Sequence, residues 1–174
     1  IFRRIASLGG LDIFAAYSPE GGGKGLTGLI PEGVRRFPQE GAGMGERLFN
    51  VFKRMSAAGY KKTAVIGSDS PDMPVERINE ALDYLDGGID AVFGPARDGG
   101  YYLAALKRPI EGLFTGIRWS TRHALYDTLK KADEGGLVCK LLSPWHDIDT
   151  AEDLLLLKDN RDAPESSGYI SSID

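Results

Sequence analysis

The stretch KKTAVIGSDSPDMPVERINEALDYLDGG, Lys61 to Gly88, decides the fold. Its first seven residues, KKTAVIG, read as a strand whose small and apolar core, Ala64 to Ile66, suits a buried position in a sheet. Pro74 then opens a helix, because a first-turn residue needs no N–H for the helical ladder. Val75, Ile78, Leu82 and Leu85 fall on one face of that helix, and Gly87-Gly88 stop it. IDAVFG, Ile89 to Gly94, follows as the next strand. A strand, a helix and a strand in that order imply a crossover connection and a parallel, helix-covered sheet.

The same alternation extends in both directions. Upstream, LDIFAAY (Leu11 to Tyr17) reads as a strand, followed by the Gly-rich loop SPEGGGKG and a polar connection reaching FPQEGAGMGER. A helix is expected from about Glu46, with Leu48, Val51, Phe52 and Met55 as its apolar stripe and Gly59 as its end. Downstream, YYLAAL (Tyr101 to Leu106) is a fourth strand, and Ser120 to Ala132 a helix with Ser120 as its N-cap. LVCKLL is a fifth strand, and a last helix starts at TAED, where Thr150 and Asp153 have capping-box spacing with aspartate in place of glutamate. The pattern predicts an α/β fold, a three-layer α/β/α Rossmann-like domain over residues 1–160, with a polar tail over 161–174. IFRRIASLGG looks like the last turns of a helix, with Phe2, Ile5 and Leu8 at a spacing of three and Gly9-Gly10 beyond. A chain rarely starts at the end of a helix, so a further N-terminal piece is expected.

Composition narrows the partners. The formal net charge of −4 and pI of about 5.3 argue against a broad nucleic-acid or anionic-lipid surface, which needs a dense positive field. No apolar run approaches the ~18 residues of a membrane span. The one cysteine, Cys139, has no partner for an internal disulfide, which suits a reducing cytoplasm and a structural role.

In such sheets ligands collect at the carboxyl ends of strands, where loops and helix N-termini converge. The loop GSDSPDMP follows a strand, and Asp69 within it can hold a hard divalent cation. The plain alternative is a turn in which Asp72 or Ser70 caps the helix near Pro74. WHDIDTAED also follows a strand; Asp147 and Asp149, two apart, face the same way in extended backbone and suit one cation. His146 is a weaker ligand candidate, more in keeping with surface or packing. Between them lies GPARDGGYYLAAL, in which Gly99 and Gly100 permit close backbone approach and Asp98 can accept from a sugar hydroxyl; the alternative is a turn into the next strand. RWST adds Arg118 and Trp119, which can meet a phosphate or a ring, with packing the simpler reading for the indole. QEGAGMGERL places glycines before Arg47 at a helix start, but neither it nor SPEGGGKG matches a dinucleotide fingerprint or a P-loop.

Taken in order, QEGAGMGERL, VIGSDSPDMP, FGPARDGGYYLAAL, IRWST and DIDTAEDL resemble a bacterial transferase family of the nucleotide-diphospho-sugar transferase superfamily, the selenodomain-associated, glycosyltransferase-A-like one. The match runs from about Leu11 to Leu157. It implies a GT-A-type sheet, mostly parallel with one antiparallel strand at Tyr101 to Leu106. It also implies Mg2+ (or Mn2+) held by Asp69 and Asp149, with Asp147 a weaker candidate. Gln39, Gly41, Arg47 and Ser68 fall on the nucleotide side. Asp98 falls in the catalytic position, and Gly99, Gly100, Tyr101 and Trp119 on the sugar or acceptor side. The family's opening strand and basic P-x-x-G-x-x-K-T-R-L loop have no counterpart from Ile1 onward.

Two functions follow as expectations. One is a metal-dependent transferase taking a nucleotide-sugar or a nucleoside triphosphate and an unknown small-molecule acceptor. The other is a non-catalytic nucleotide-binding module that keeps the fold. A phosphatase reading of DIDTA fits poorly, because Ala151 stands where threonine or valine is needed and the motif follows the last strand, not the first.

Overall fold

The computed structural model describes residues 1–18, 28 and 30–146 of the chain. In chain order these form α1 (Phe2–Ala6), β1 (Phe14–Tyr17), β2 (Arg35–Pro38), α2 (Met44–Ala57), β3 (Thr63–Ile66), α3 (Glu76–Asp86), β4 (Ala91–Pro95) and β5 (Tyr101–Leu106). A 3-10 turn over Glu111–Leu113, α4 (Ala124–Glu134) and β6 (Cys139–Leu141) follow. β1 and β2 pair in parallel, while β3, β5, β4 and β6 lie side by side in that order. β3, β4 and β6 run one way, and β5 runs against both of its neighbours, as expected for Tyr101 to Leu106.

The two faces of this sheet make the three layers. Along β4, Ala91 and Phe93 pack with Phe52 of α2 and Ala132 of α4, whereas Val92 packs with Ile78, Ala81 and Leu85 of α3. β5 divides in the same way, Ala104 and Leu106 on the first face and Leu103 and Ala105 on the second. A central strand buried on both faces reads as a continuous apolar run, which is why IDAVFG and YYLAAL carry no polar alternation. β3 departs from the expected full burial: as an edge of this sheet its four residues are half-buried.

Three helices end alike. Gly59, Gly88 and Gly136 have φ of +93°, +100° and +64°, and the next residue's N–H reaches back to Met55, Tyr84 or Ala132. That is the Schellman closure, in which glycine takes the left-handed position without a Cβ clash.

The pairing of β4 and β5 contains a bulge. Pro95 faces Tyr101 and Gly94 faces Leu103, so Tyr102 is the extra residue. Tyr102 thereby turns to the α3 face beside Leu103, while Tyr101 turns to the opposite one. The Tyr102 ring lies over Gly94, where an added Cβ would stand 2.3 Å from its Cζ. Gly94→Ala should therefore lower stability by about 1–3 kcal/mol, the usual cost of overpacking, read as a lower urea midpoint at unchanged slope. An unchanged midpoint would show that the ring can move aside.

Two expectations need correction. β2 forms where the sequence suggests polar connection, because RRFP offers only Phe37 as a buried side chain; its stability is non-local, from pairing with β1 and from the Arg35 guanidinium 4.2 Å over the Phe14 ring. Ser120 is not an N-cap. It sits at φ +57°, and α4 starts at Ala124 after a turn in which the His123 N–H donates to Thr121 Oγ1. Among the described residues no helix is long and apolar enough to cross a membrane. The expected tail and the TAED helix lie outside the described residues.

Candidate functional site

Register brings three loops to one rim of the sheet. Ile66 at the end of β3 faces Leu103, Pro95 at the end of β4 faces Tyr101, and β6 runs parallel to β4 with Leu141 beside Phe93. The loops that follow β3, β4 and β6 therefore leave from the same edge, where strand carboxyl ends gather ligands. Asp69 and Ser68 are exposed in the first of them, and the Ser68 hydroxyl donates to Asp69 Oδ1 at 3.0 Å.

Asp72, read from sequence as a possible helix cap, does something else. α3 begins after Val75 without a side-chain cap. The Asp72 carboxylate is 1% exposed; its Oδ1 accepts from Trp145 Nε1 at 3.2 Å, and its Oδ2 lies 3.1 Å from His146 Nε2. Trp145 stacks on His146 with ring centroids 5.0 Å apart. The Trp145 backbone also bridges to β4: its N–H donates to Pro95 O, and its carbonyl accepts from the Arg97 N–H. No local signal in the sequence announces this cluster, because its partners are more than 70 residues from Asp72.

The loop after β4 is a tight turn. The Ala96 N–H donates to Gly100 O, the Gly99 N–H to Ala96 O, and the Gly100 N–H to Asp98 Oδ1 at 2.7 Å. Asp98 is exposed, with one carboxylate oxygen fixed by the turn. Gly99, at φ +93°, presses on the Arg122 backbone and accepts the Leu125 N–H, which joins the turn to the start of α4.

The aromatic residues of the expected acceptor side point inward. Tyr101 packs against Phe93 (5.2 Å) and Trp119 (6.1 Å). Its hydroxyl and that of Thr128 are both buried, and neither has a partner in hydrogen-bond geometry among the described residues. Burial drives the Tyr101 phenol well above its ordinary pKa, and the nearby Thr128 hydroxyl offsets part of this. Trp119 reaches Gly45 in the first turn of α2, where an added Cβ would meet its indole nitrogen and Phe114 O. Trp119 thus links the rim to the helix start expected on the nucleotide side.

There, Gly41 has φ +130° and Arg47 Nε donates to its carbonyl at 3.2 Å. Glu46 accepts the Ala42 N–H, which orders the turn before α2. Gln39 ties β2 to β1, its N–H on Tyr17 O and its Nε2 on Ala16 O. A shallow concavity lined by Phe37, Glu40, Asn50 and Arg54 flanks this segment, at β2 and α2 and not at the rim.

Arg118 is committed. Its guanidinium forks onto Asp127 at 2.7 and 2.8 Å, and its N–H adds a third bond. That arginine holds the Asp127 carboxyl at about 2, well below the ordinary carboxylate value. A depressed native pKa contributes stability that is present above about pH 4 and is lost as pH falls through about 2. In a Trp145→Phe background, Trp119 emission should accordingly shift between about pH 4 and 2, and Asp127→Asn should remove that transition; its persistence would point to other carboxylates. Cys139, half-buried in β6, has its thiol pushed up by burial and then by Asp90, as suits a structural cysteine.

Among the described residues no three His, Cys, Asp or Glu converge as a metal shell. Asp147 and Asp149 lie outside the described residues, directly after His146 in the chain.

Fold and rim together define an α/β protein whose strand-end loops gather at one edge of the sheet. A solved structure from Desulfovibrio desulfuricans G20, described as a "putative nucleotide-diphospho-sugar transferase", is 30% identical. It matches 98% of this chain and 77% of its own with a TM-score of 0.86. The chain belongs to the family described as "Uncharacterized protein conserved in bacteria (DUF2064)", whose model matches residues 1–121. No curated protein matches it.

Proposed function

We propose that the chain is a transferase acting on an activated nucleotide, either a nucleotide-sugar or a nucleoside triphosphate, with a small-molecule acceptor. The observation that carries this reading is the near full-length similarity to the Desulfovibrio protein. Asp69, with Asp149 and Asp147 from the segment after His146, would hold Mg2+ or Mn2+. An exposed carboxylate on a strand-end loop suits a hard cation. Such a cation, when bound, supplies charge neutralisation on the diphosphate leaving group.

The chain's own residues do the remaining work. Ser68 orients the Asp69 carboxylate through its hydroxyl. Asp98, with Oδ1 held by the Gly100 N–H, presents Oδ2 to an acceptor hydroxyl and takes its proton. Gly99 and Gly100 allow close approach at that turn, and Tyr101 and Trp119 form its packed floor. Arg47, anchored on Gly41 through Nε, offers its remaining N–H groups to phosphate, and Gln39, tied to β1, precedes that segment in the chain.

The test separates the two chemistries. Pyrophosphate released from a nucleoside triphosphate with Mg2+ marks nucleotidyl transfer, and nucleoside diphosphate released from a nucleotide-sugar marks glycosyl transfer. Nucleotide binding without either product favours a binding module. Neither binding nor product, across a panel of bases, contradicts the reading.

A further inference from the structure

Asp72 is a buried carboxylate that the proposed chemistry does not use. It lies three positions after Asp69, yet it is 1% exposed where Asp69 is exposed. Burying a carboxylate is costly unless its oxygens are hydrogen-bonded. Here one oxygen takes the Trp145 indole N–H, and the other meets His146. Both partners belong to the segment leaving β6, which is bound in turn to the β4 end through the Trp145 N–H on Pro95 and the Arg97 N–H on Trp145 O. The loop after β3 is thus joined through one side chain to the loops after β4 and β6.

From this geometry we infer that Asp72 is a positioning residue. It latches the segment after β6 onto the loop that carries Asp69, and so fixes the point from which the chain continues toward Asp147 and Asp149. A carboxylate suits the task better than an amide, because both of its oxygens accept and neither needs a donor hydrogen placed elsewhere. Charge also strengthens the bond to the indole N–H in a low-dielectric setting. The consequence for ligand rests on the transferase reading above, whereas the latch itself does not.

Hydrogen exchange tests the latch without any ligand. In Asp72→Ala, the Trp145 and Arg97 amides should exchange at least tenfold faster than in the wild type, while Val92 and Ala104 in the sheet keep their protection. Trp145→Phe, which removes only the indole donor, should give the same local change in smaller degree, and it serves if Asp72→Ala does not fold. Wild-type exchange at Trp145 and Arg97 in the folded variant would overturn the latch.

Calorimetry with MgADP and Mg-UDP-glucose then reads the consequence. The expected loss of affinity in the folded variant is tenfold or more, set against Leu85→Ala, a core variant that lowers stability away from the rim and should leave affinity unchanged. Equal affinity in the Asp72 variant and the wild type would overturn the role in ligand binding. A wild type that binds neither nucleotide at all would count against the transferase reading, with the latch still judged by exchange.

Discussion

Asp69→Asn is expected to abolish magnesium-dependent nucleotide binding while leaving the fold intact. Asp69 is exposed, its only side-chain partner in the described structure is the Ser68 hydroxyl, and asparagine keeps its size. Stability should therefore change by no more than about 0.5 kcal/mol, as for a surface substitution. Function should respond very differently, because a neutral amide cannot replace a carboxylate toward a hard divalent cation. Loss of an electrostatic contact of this kind costs about 10²–10³ in rate. Product release in the presence of Mg2+ should fall by that amount, and excess Mn2+ should restore only part of it. If the variant binds and turns over like the wild type, Asp69 is a turn residue and the metal lies elsewhere.

Gly99→Ala should be the most destabilising of the rim substitutions. A Cβ at this position would stand 2.2 Å from the Arg122 carbonyl oxygen and 2.6 Å from its Cα. Both contacts are backbone, so no flexible side chain can swing away. Positive φ adds a strain of ~1–3 kcal/mol, and overpacking a further ~1–3 kcal/mol. The sum, roughly 2–6 kcal/mol, is a large share of the ~5–15 kcal/mol that holds a typical domain together. A fall in Tm of about 4–24 °C follows at this chain length. Gly112→Ala is the control, since nothing lies within 4 Å of the added carbon. Should both variants melt with the wild type, the joint between the Asp98 turn and α4 is looser than described. The same close fit gives Gly99 a packing role that needs no ligand, alongside the backbone approach proposed for it.

The parts of the fold that sequence conveyed are those with local causes. α3 and its flanking strands follow from an i, i+3 stripe, a proline start and a glycine stop. β5 was visible as an apolar run, although its reversal came only with the family resemblance. β2 was invisible because Arg35 and Arg36 mask its single buried residue, Phe37, and its pairing partner β1 lies well before it in the chain. α4 starts at Ala124 and not directly after Ser120, because Ser120 takes a positive φ and it is the Thr121 hydroxyl that meets an N–H, that of His123, which only the fold shows.

For the site, sequence located the loops by their position after strands and picked out the exposed Asp69 and Asp98. It gave Asp72 a capping role, because the burial of that carboxylate against Trp145 and His146 is set by residues distant in the chain. It could not show that Arg118 is taken up by Asp127, or that Trp119 turns toward Tyr101 and Gly45.

An activated nucleotide and its metal are proposed to meet at the rim formed by the loops after β3 and β4. Titrating the isotope-labelled chain with UDP and Mn2+ measures this directly, because the paramagnetic ion broadens amide signals near it. Ser68, Asp69, Asp98 and Gly99 should broaden first, with Mg2+ restoring their signals and Asp69→Asn abolishing the effect. Broadening confined to residues remote from that rim, or none at saturating UDP and Mn2+, would contradict it.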